Sequence, residues 1–144
     1  GSPGPASINP ETNETYGLNF PVVTIEDIAT AGHEVIKFLG LEKLHAVVGA
    51  SMGGMSSLAY SILFPNVAEA LVSISGSARA APFAIALRSL QREIIRSDPS
   101  WNDGKYDPDM EPAGGMRLAR KLGMLTYRSA AEFEQRFGIE LIPE

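Results

Sequence analysis

One serine in this chain has the neighbours that a nucleophile needs. Gly49, Ser51 and Gly53 satisfy the pattern G-x-S-x-G, in which a strand turns sharply into a helix with the serine at the tip. The turn predicts a positive φ at Ser51 and small residues two positions before and after it, where the chain approaches itself closely. The backbone N–H of Met52 then lies at the positive end of the helix, free to stabilise an oxyanion. The motif predicts nucleophilic catalysis by Ser51, with Met52 as an oxyanion donor.

The residues on either side of the motif predict the strand and the helix that it requires. Residues 44–48 are typical of a buried parallel strand. Apolar residues at helical spacing follow from Met52 to Phe64, and Pro65 ends this second pattern. A glycine-rich turn with an inert serine is the alternative interpretation. The order strand, turn, helix favours the catalytic one.

Two further patterns extend this unit. Thr24 begins a predicted helix with a capping box to Asp27, and Gly40 ends it. Its apolar face is expected to pack on a sheet. Residues 69–75 predict a second buried strand. The order helix, strand, helix, strand with short connections predicts a parallel sheet, with Ser51 at the edge where open α/β sheets bind ligands.

The type of pattern changes near residue 78. Residues 1–77 predict a partial α/β core, which begins with a loop rich in glycine and proline over residues 1–21. Residues 78–144 carry only helical patterns. These patterns cover residues 80–96, 115–125 and 130–137. We therefore expect an α/β fold in which a partial parallel sheet is followed by a helical lid.

Composition restricts the class of protein. The chain has 144 residues, of which 44% are hydrophobic and 20% charged, and this fits one globular domain. No apolar run approaches the roughly 18 residues of a membrane span, and the net charge of −5 argues against a nucleic-acid partner. The chain contains no cysteine, which is compatible with a cytoplasmic location. No signal peptide, metal site or bound cofactor is predicted.

A base that could activate Ser51 has no candidate in this chain. A serine hydroxyl reacts when a histidine takes its proton and a carboxylate orients that histidine, and both partners follow the serine in sequences with this motif. The two histidines, His33 and His45, precede Ser51. We expect His45 to be a core or strand-edge histidine. The sequence is therefore expected to be a fragment without the catalytic aspartate and histidine, and to be inactive by itself.

Five ordered blocks resemble the homoserine O-acetyltransferase family. The blocks are residues 4–10, 20–27, 49–55, 98–101 and 125–129. The resemblance implies an α/β-hydrolase fold with a helical lid, and transfer of an acyl group from acyl-CoA to an amino-acid hydroxyl. It implies that Ser51 is acylated and that Met52 is one oxyanion donor. Arg120 and Tyr127 match positions that line the tunnel and bind the amino acid. Acyl-CoA, as acetyl-CoA or succinyl-CoA, is implied as a co-substrate.

Within that family, residues 74–80 and 88–93 are most similar to the serine O-succinyltransferase branch. A succinyl group carries a carboxylate that a guanidinium binds well, so Arg79 is a candidate partner, and a solvated surface arginine is the equally open alternative. The implied acceptor is L-serine or L-homoserine, in cysteine or methionine biosynthesis. A homodimer through the lid is an open expectation. The alternatives are a serine esterase or other hydrolase of the same fold, and a non-catalytic fragment.

Overall fold

The computed structural model describes residues 2–138, and in it the chain forms two compact units. We call Pro21–Ala80 the elbow unit, because it contains the G-x-S-x-G turn. The other, the helical unit, combines Gly1–Phe20 with Ala81–Glu144. Gly1 and residues 139–144, the end of the predicted lid, lie outside the described residues.

The elbow unit is built as the sequence predicts. Its elements are helix α1 (Ile25–Phe38), strand β1 (Leu44–Ala50), helix α2 (Met52–Leu63) and strand β2 (Ala68–Ile74). The two strands pair in parallel, with Leu44 opposite Ala68 and Ala50 opposite Ile74. Helix α2 packs against both strands. The predicted order and the parallel pairing are confirmed, and they place the G-x-S-x-G turn at the carboxyl end of β1.

Local signals fix both ends of α1. The hydroxyl of Thr24 accepts a hydrogen bond from the Asp27 N–H at 3.2 Å, and the Asp27 carboxylate accepts one from the Thr24 N–H at 2.8 Å. This capping box is the predicted one, and the bonds from Thr24 lower the pKa of Asp27. Gly40, with a φ of +71°, follows the last turn, as a helix end requires.

The predicted packing of α1 on the sheet is wrong. Helix α1 packs mainly against α2. Val35, on the face of α1 that was predicted to pack on the sheet, is 56% exposed. Two strands about 5 Å apart offer a face no wider than one helix of about 10 Å diameter, and α2 already covers it. The contact between the helices includes His33, whose ring stacks on Phe64 with centroids 3.7 Å apart.

Both strands are more exposed than predicted. Val48 on β1 is 63% exposed, and Ile74 on β2 is 52% exposed. An apolar strand is buried in a parallel sheet when helices cover both faces and further strands cover both edges. The described residues cover one face of the sheet with a helix and give each strand one neighbouring strand. The strands therefore have the apolar sequence of buried strands but are not buried.

The described part of the helical unit contains three longer helices. These are α3 (Pro82–Arg96), α4 (Ala113–Thr126) and α5 (Ala130–Phe137), with short 3-10 segments at Gly17–Asn19, Pro99–Gly104 and Pro108–Met110. Helix α3 packs against α4, and the predicted helices are confirmed. The predicted boundary between residues 77 and 78 stays a prediction about domains. Across residues 2–138, no helix has the length and apolarity that crossing a bilayer requires.

One carboxylate links the break after α3 to the start of α4. Asp98 accepts hydrogen bonds from the backbone N–H groups of Gly115 at 2.6 Å and Ser100 at 2.9 Å. These bonds stabilise the charged form and lower the pKa of Asp98. Gly115 also has no room for a side chain, since a Cβ there would lie 2.7 Å from the carbonyl oxygen of Ile94. Asp98 and Gly115 together hold α4 close against α3.

Candidate active site

Ser51 occupies the turn between β1 and α2 in the conformation that the motif predicts. Its φ is 54° and its ψ is −117°, so its backbone is left-handed although it carries a Cβ. The Met55 N–H donates to the Ser51 carbonyl oxygen at 3.1 Å, which begins the hydrogen bonding of α2. The Ser51 side chain makes no capping hydrogen bond and is exposed. Its hydroxyl is therefore available for chemistry.

Gly49 is the position that the tight turn requires to be glycine. A Cβ on Gly49 would overlap the carbonyl group of Gly53 and would lie 2.7 Å from the Gly54 nitrogen. A Cβ on Gly53 would meet no atom within 4 Å among the described residues. The predicted close approach of the two positions is confirmed, and it excludes a Cβ at Gly49 but not at Gly53. The reason is that the backbone of Gly53, rather than its Cα substituent, fills the space beside Gly49.

A second close approach, which the G-x-S-x-G motif does not predict, joins α2 to the end of β2. A Cβ on Gly76 would lie 2.9 Å from the carbonyl carbon of Gly54, and a Cβ on Gly54 would lie 3.0 Å from the Gly76 Cα. The Ser73 hydroxyl donates to the Gly54 carbonyl oxygen at 3.3 Å. The adjacent glycines Gly53 and Gly54 were a signal that two contacts, not one, hold this turn.

The first turn of α2 presents backbone N–H groups beside Ser51. Met52, Gly53 and Gly54 open the helix, so no helical carbonyl lies four residues before them to accept their hydrogen bonds. The helix dipole adds positive character at this end. The arrangement suits a negatively charged oxygen next to Ser51, and the role of Met52 as an oxyanion donor stays a prediction.

Neither histidine is placed to activate Ser51. The Nδ1 atom of His33 lies 3.1 Å from the hydroxyl oxygen of Tyr60. Tyr60 follows Ser51 by nine residues, which is a rise of about 13 Å along α2. The His45 side chain is 94% exposed, and its Nδ1 lies 3.2 Å from a carboxylate oxygen of Glu69 on the neighbouring strand. It is a strand histidine about 20 Å of extended chain from Ser51. Within the described residues, neither histidine can serve as a base for the predicted nucleophile.

The remaining predicted site residues fall in both units. Arg79 lies in the turn after β2, in the elbow unit, where its backbone N–H donates to the Ser77 hydroxyl at 3.2 Å and its side chain is exposed. Arg120 and Tyr127 belong to the helical unit, where they line one open groove of about 350 Å³. The structure therefore brings Arg120 and Tyr127 together, and it groups Arg79 with Ser51 and Met52 in the elbow unit.

Gln91 on α3 shapes the groove of Arg120 and Tyr127, and no sequence pattern marks it. Its Nε2 donates to the carbonyl oxygen of Ala119 at 3.1 Å, and its Oε1 accepts from Arg88 at 2.7 Å. Because Ala119 directly precedes Arg120 on α4, this hydrogen bond from Gln91 holds the Arg120 backbone in place relative to α3. The contact depends on the packing of two helices, which no local pattern reports.

Known proteins are similar to this chain over nearly its whole length. A family model described as alpha/beta hydrolase fold matches residues 3–138. A serine O-succinyltransferase of Stenotrophomonas maltophilia (strain K279a) is 59% identical over 138 residues, which are 96% of this chain and 37% of that protein. The chain thus spans well under half the length of this curated relative.

Solved structures give the same comparison in three dimensions. A homoserine O-acetyltransferase from Bacillus anthracis matches with a TM-score of 0.88 and 32% identity, over 97% of this chain and 38% of that one. An acetylester hydrolase from Corynebacterium glutamicum matches with a TM-score of 0.81 and 28% identity, over 94% of this chain and 40% of that one. Both a transferase and a hydrolase therefore contain this arrangement of elements.

Proposed function

The chain belongs to the alpha/beta hydrolase fold family, and from this premise we propose that it is part of an acyl-CoA-dependent O-acyltransferase acting on L-serine or L-homoserine. One observation carries the proposal: Ser51 has a φ of 54° at a strand-to-helix turn, with an exposed hydroxyl beside the first N–H groups of α2. Similarity supports transfer rather than hydrolysis, since the serine O-succinyltransferase is 59% identical over 138 residues. We favour succinyl over acetyl as the acyl group for the same reason.

The reaction proceeds in two steps through an ester of Ser51. The Ser51 oxygen attacks the thioester carbonyl carbon, its proton passes to a base, the C–S bond breaks, and CoA leaves as a thiol. The hydroxyl oxygen of the amino acid then attacks the ester carbonyl carbon. The C–O bond to Ser51 breaks, and the serine regains a proton. The N–H of Met52 stabilises the oxyanion that forms in each step.

The base belongs to the part of the protein beyond these 144 residues, because neither His33 nor His45 is placed for the role. In the proposal, the remaining segments supply a histidine and the carboxylate that orients it. The isolated chain would then be inactive although its nucleophile is correctly held. By "the complete protein" we mean the whole reading frame that contains this chain.

Three further side chains have proposed substrate contacts. Arg120 and Tyr127, which line one groove, bind the amino acid, with the guanidinium of Arg120 paired to the carboxylate. Arg79 is the proposed partner of a succinyl carboxylate. The proposal places the enzyme in the cytoplasm, where acyl-CoA and free amino acids are available, and as a homodimer through the helical unit, in cysteine or methionine biosynthesis.

The test is release of CoA by the complete protein on mixing acyl-CoA with each amino acid. Ser51→Ala is expected to reduce turnover by at least 1,000-fold, because it removes the nucleophile. Ser61→Ala is the matched control, since Ser61 is an exposed serine on α2 that donates to the Leu58 carbonyl oxygen. Turnover retained in Ser51→Ala would contradict the mechanism.

The same assay separates transfer from hydrolysis. A transferase is expected to release CoA far faster with amino acid present than with water alone, and to yield the O-acylated amino acid. An esterase would cleave simple esters and acyl-CoA at rates that the amino acid does not change. This second outcome would indicate an esterase, the alternative function that the similarity to the acetylester hydrolase suggests.

A further inference from the structure

Ser75 repeats the unusual backbone of Ser51 at the end of the neighbouring strand. Its φ is 51°, directly after β2 ends at Ile74. The other non-glycine residues with positive φ in the described part of the chain are asparagines and one aspartate, which enter this region more readily than serine does. Two strained serines therefore follow the two paired strands.

The strand register places these serines opposite each other. The pairing of β1 with β2 runs from Leu44 opposite Ala68 to Ala50 opposite Ile74. The Ser51 N–H still donates to the Ile74 carbonyl oxygen at 2.9 Å, so the ladder extends one residue further. Continuing the register by that residue puts Ser75 beside Ser51, with Cα atoms about 5 Å apart. Both residues are exposed, at the same edge of the sheet.

The turn after β2 does not need a serine at position 75. Glycine adopts a positive φ without the steric penalty that a Cβ brings, and serine does not. The contacts that anchor this turn come from Ser73 and Gly76 against Gly54. The Ser75 side chain thus strains the backbone while its neighbours hold the turn, and strain of this kind is concentrated at functional sites.

We propose that Ser75 is a specificity-determining residue whose hydroxyl donates a hydrogen bond to the terminal carboxylate of a succinyl group on Ser51. The inference rests on the proposed acyl-Ser51 intermediate. A four-carbon chain esterified to Ser51 reaches a neighbour about 5 Å away, and a hydroxyl bonded to a carboxylate forms a short, charge-assisted hydrogen bond. An acetyl group has no polar atom beyond its carbonyl. The hydroxyl therefore favours succinyl over acetyl.

Two variants of the complete protein separate the hydroxyl from the backbone. Ser75→Gly removes the hydroxyl and relieves the strain, whereas Ser75→Ala removes the hydroxyl and keeps the Cβ. For both, kcat/KM of Ser51 acylation by succinyl-CoA is expected to fall by about 10- to 100-fold, the effect of losing one hydrogen bond to a charge. With acetyl-CoA it is expected to change by less than about threefold. Ser75→Gly should unfold at no lower temperature than the unmutated protein.

The matched control is Asn66→Gly, which relaxes a positive φ of 73° in the turn before β2, at the opposite end of that strand. It should alter acylation by neither donor. An unchanged ratio between the donors in both Ser75 variants would overturn this inference alone, as would an unmutated protein that accepts only acetyl-CoA. Absence of any acyl-Ser51 in the unmutated protein would overturn the proposed function as well, so the two failures are distinguishable.

Discussion

At the scale of single residues, the turn around Ser51 makes unequal demands on its glycines. Gly49 faces the backbone of Gly53, and Gly53 has open space at its own Cβ position. The motif alone treats the two positions as equivalent. The structure assigns the steric constraint to the strand side of the turn.

Gly49→Ala and Gly53→Ala therefore form a matched pair. In the complete protein, Gly49→Ala is expected to destabilise the fold by about 1–3 kcal/mol, because the new methyl group overlaps the Gly53 carbonyl. It should also reduce acylation of Ser51 by displacing the turn. Gly53→Ala lies in the first turn of α2, where alanine is the better helix former, and should leave the melting temperature within a few degrees. Melting curves measure both, and equal effects would contradict this assignment.

At this scale, the sequence predicts those features whose backbone geometry a motif encodes. The positive φ of Ser51 and the need for Gly49 follow from G-x-S-x-G. Ser75 and Gly76 lie in no such motif, and their proximity to the turn depends on strand register. A register is a relation between distant segments, so local sequence could not report it.

At the scale of elements, α4 carries the proposed substrate contact Arg120, Tyr127 directly follows the helix, and Asp98 holds its first turn. The Asp98 carboxylate accepts from Gly115 on α4 and from Ser100 in the preceding break. Because these bonds favour the charged form, the pKa of Asp98 lies below its usual 3.8. The stabilisation is therefore complete above that usual value and is lost as the pH falls through the lower, folded-state pKa.

Asp98→Asn is expected to lower the melting temperature at neutral pH, since the neutral amide accepts these hydrogen bonds more weakly. The difference from the unmutated protein should shrink as the pH falls below about 4, where the carboxyl group becomes protonated. Asp103→Asn is the control, an exposed aspartate in the same break whose positive φ asparagine also tolerates. A difference that stays constant from pH 7 to pH 3 would refute the role of the charge.

Arg120 tests the groove on α4 separately from the chemistry at Ser51. Arg120→Lys keeps the charge and loses the paired geometry that a guanidinium offers a carboxylate. We expect KM for the amino acid to rise about tenfold, with the acylation rate of Ser51 unchanged. Arg117→Lys, on the same helix and absent from the groove lining, is the control. An equal change in KM for the two variants would show that Arg120 does not bind the amino acid.

Helix boundaries were predictable because short-range signals set them. The capping box of Thr24 and Asp27, and Gly40 after the last turn, placed α1 within a residue. What α1 packs against was not predictable, since that choice depends on the width of the sheet and on α2. The exposure of Val48 has the same kind of cause, because burial depends on neighbours that the strand itself does not specify.

At the scale of the whole molecule, the chain holds the proposed nucleophile, Ser51, in its turn and has few buried side chains. Among the described residues, the buried apolar side chains include Ala29, Tyr60 and Ala119, which are 4–6% exposed. Phe38 is 89% exposed and Phe83 is 76% exposed. The chain also spans 37% of the length of its serine O-succinyltransferase relative. We propose that the remaining segments supply both the cover for these surfaces and the base for Ser51.

The measurement that tests this account most directly is mass spectrometry of the complete protein after mixing with acyl-CoA alone. The peptide that contains Ser51 is expected to gain the mass of one acyl group, and to lose it when L-serine or L-homoserine is added. Ser51→Ala should gain none. Two results would contradict the central claim. One is turnover without any acylated Ser51. The other is acylation of a different residue, which then loses its acyl group to the amino acid at the rate of turnover.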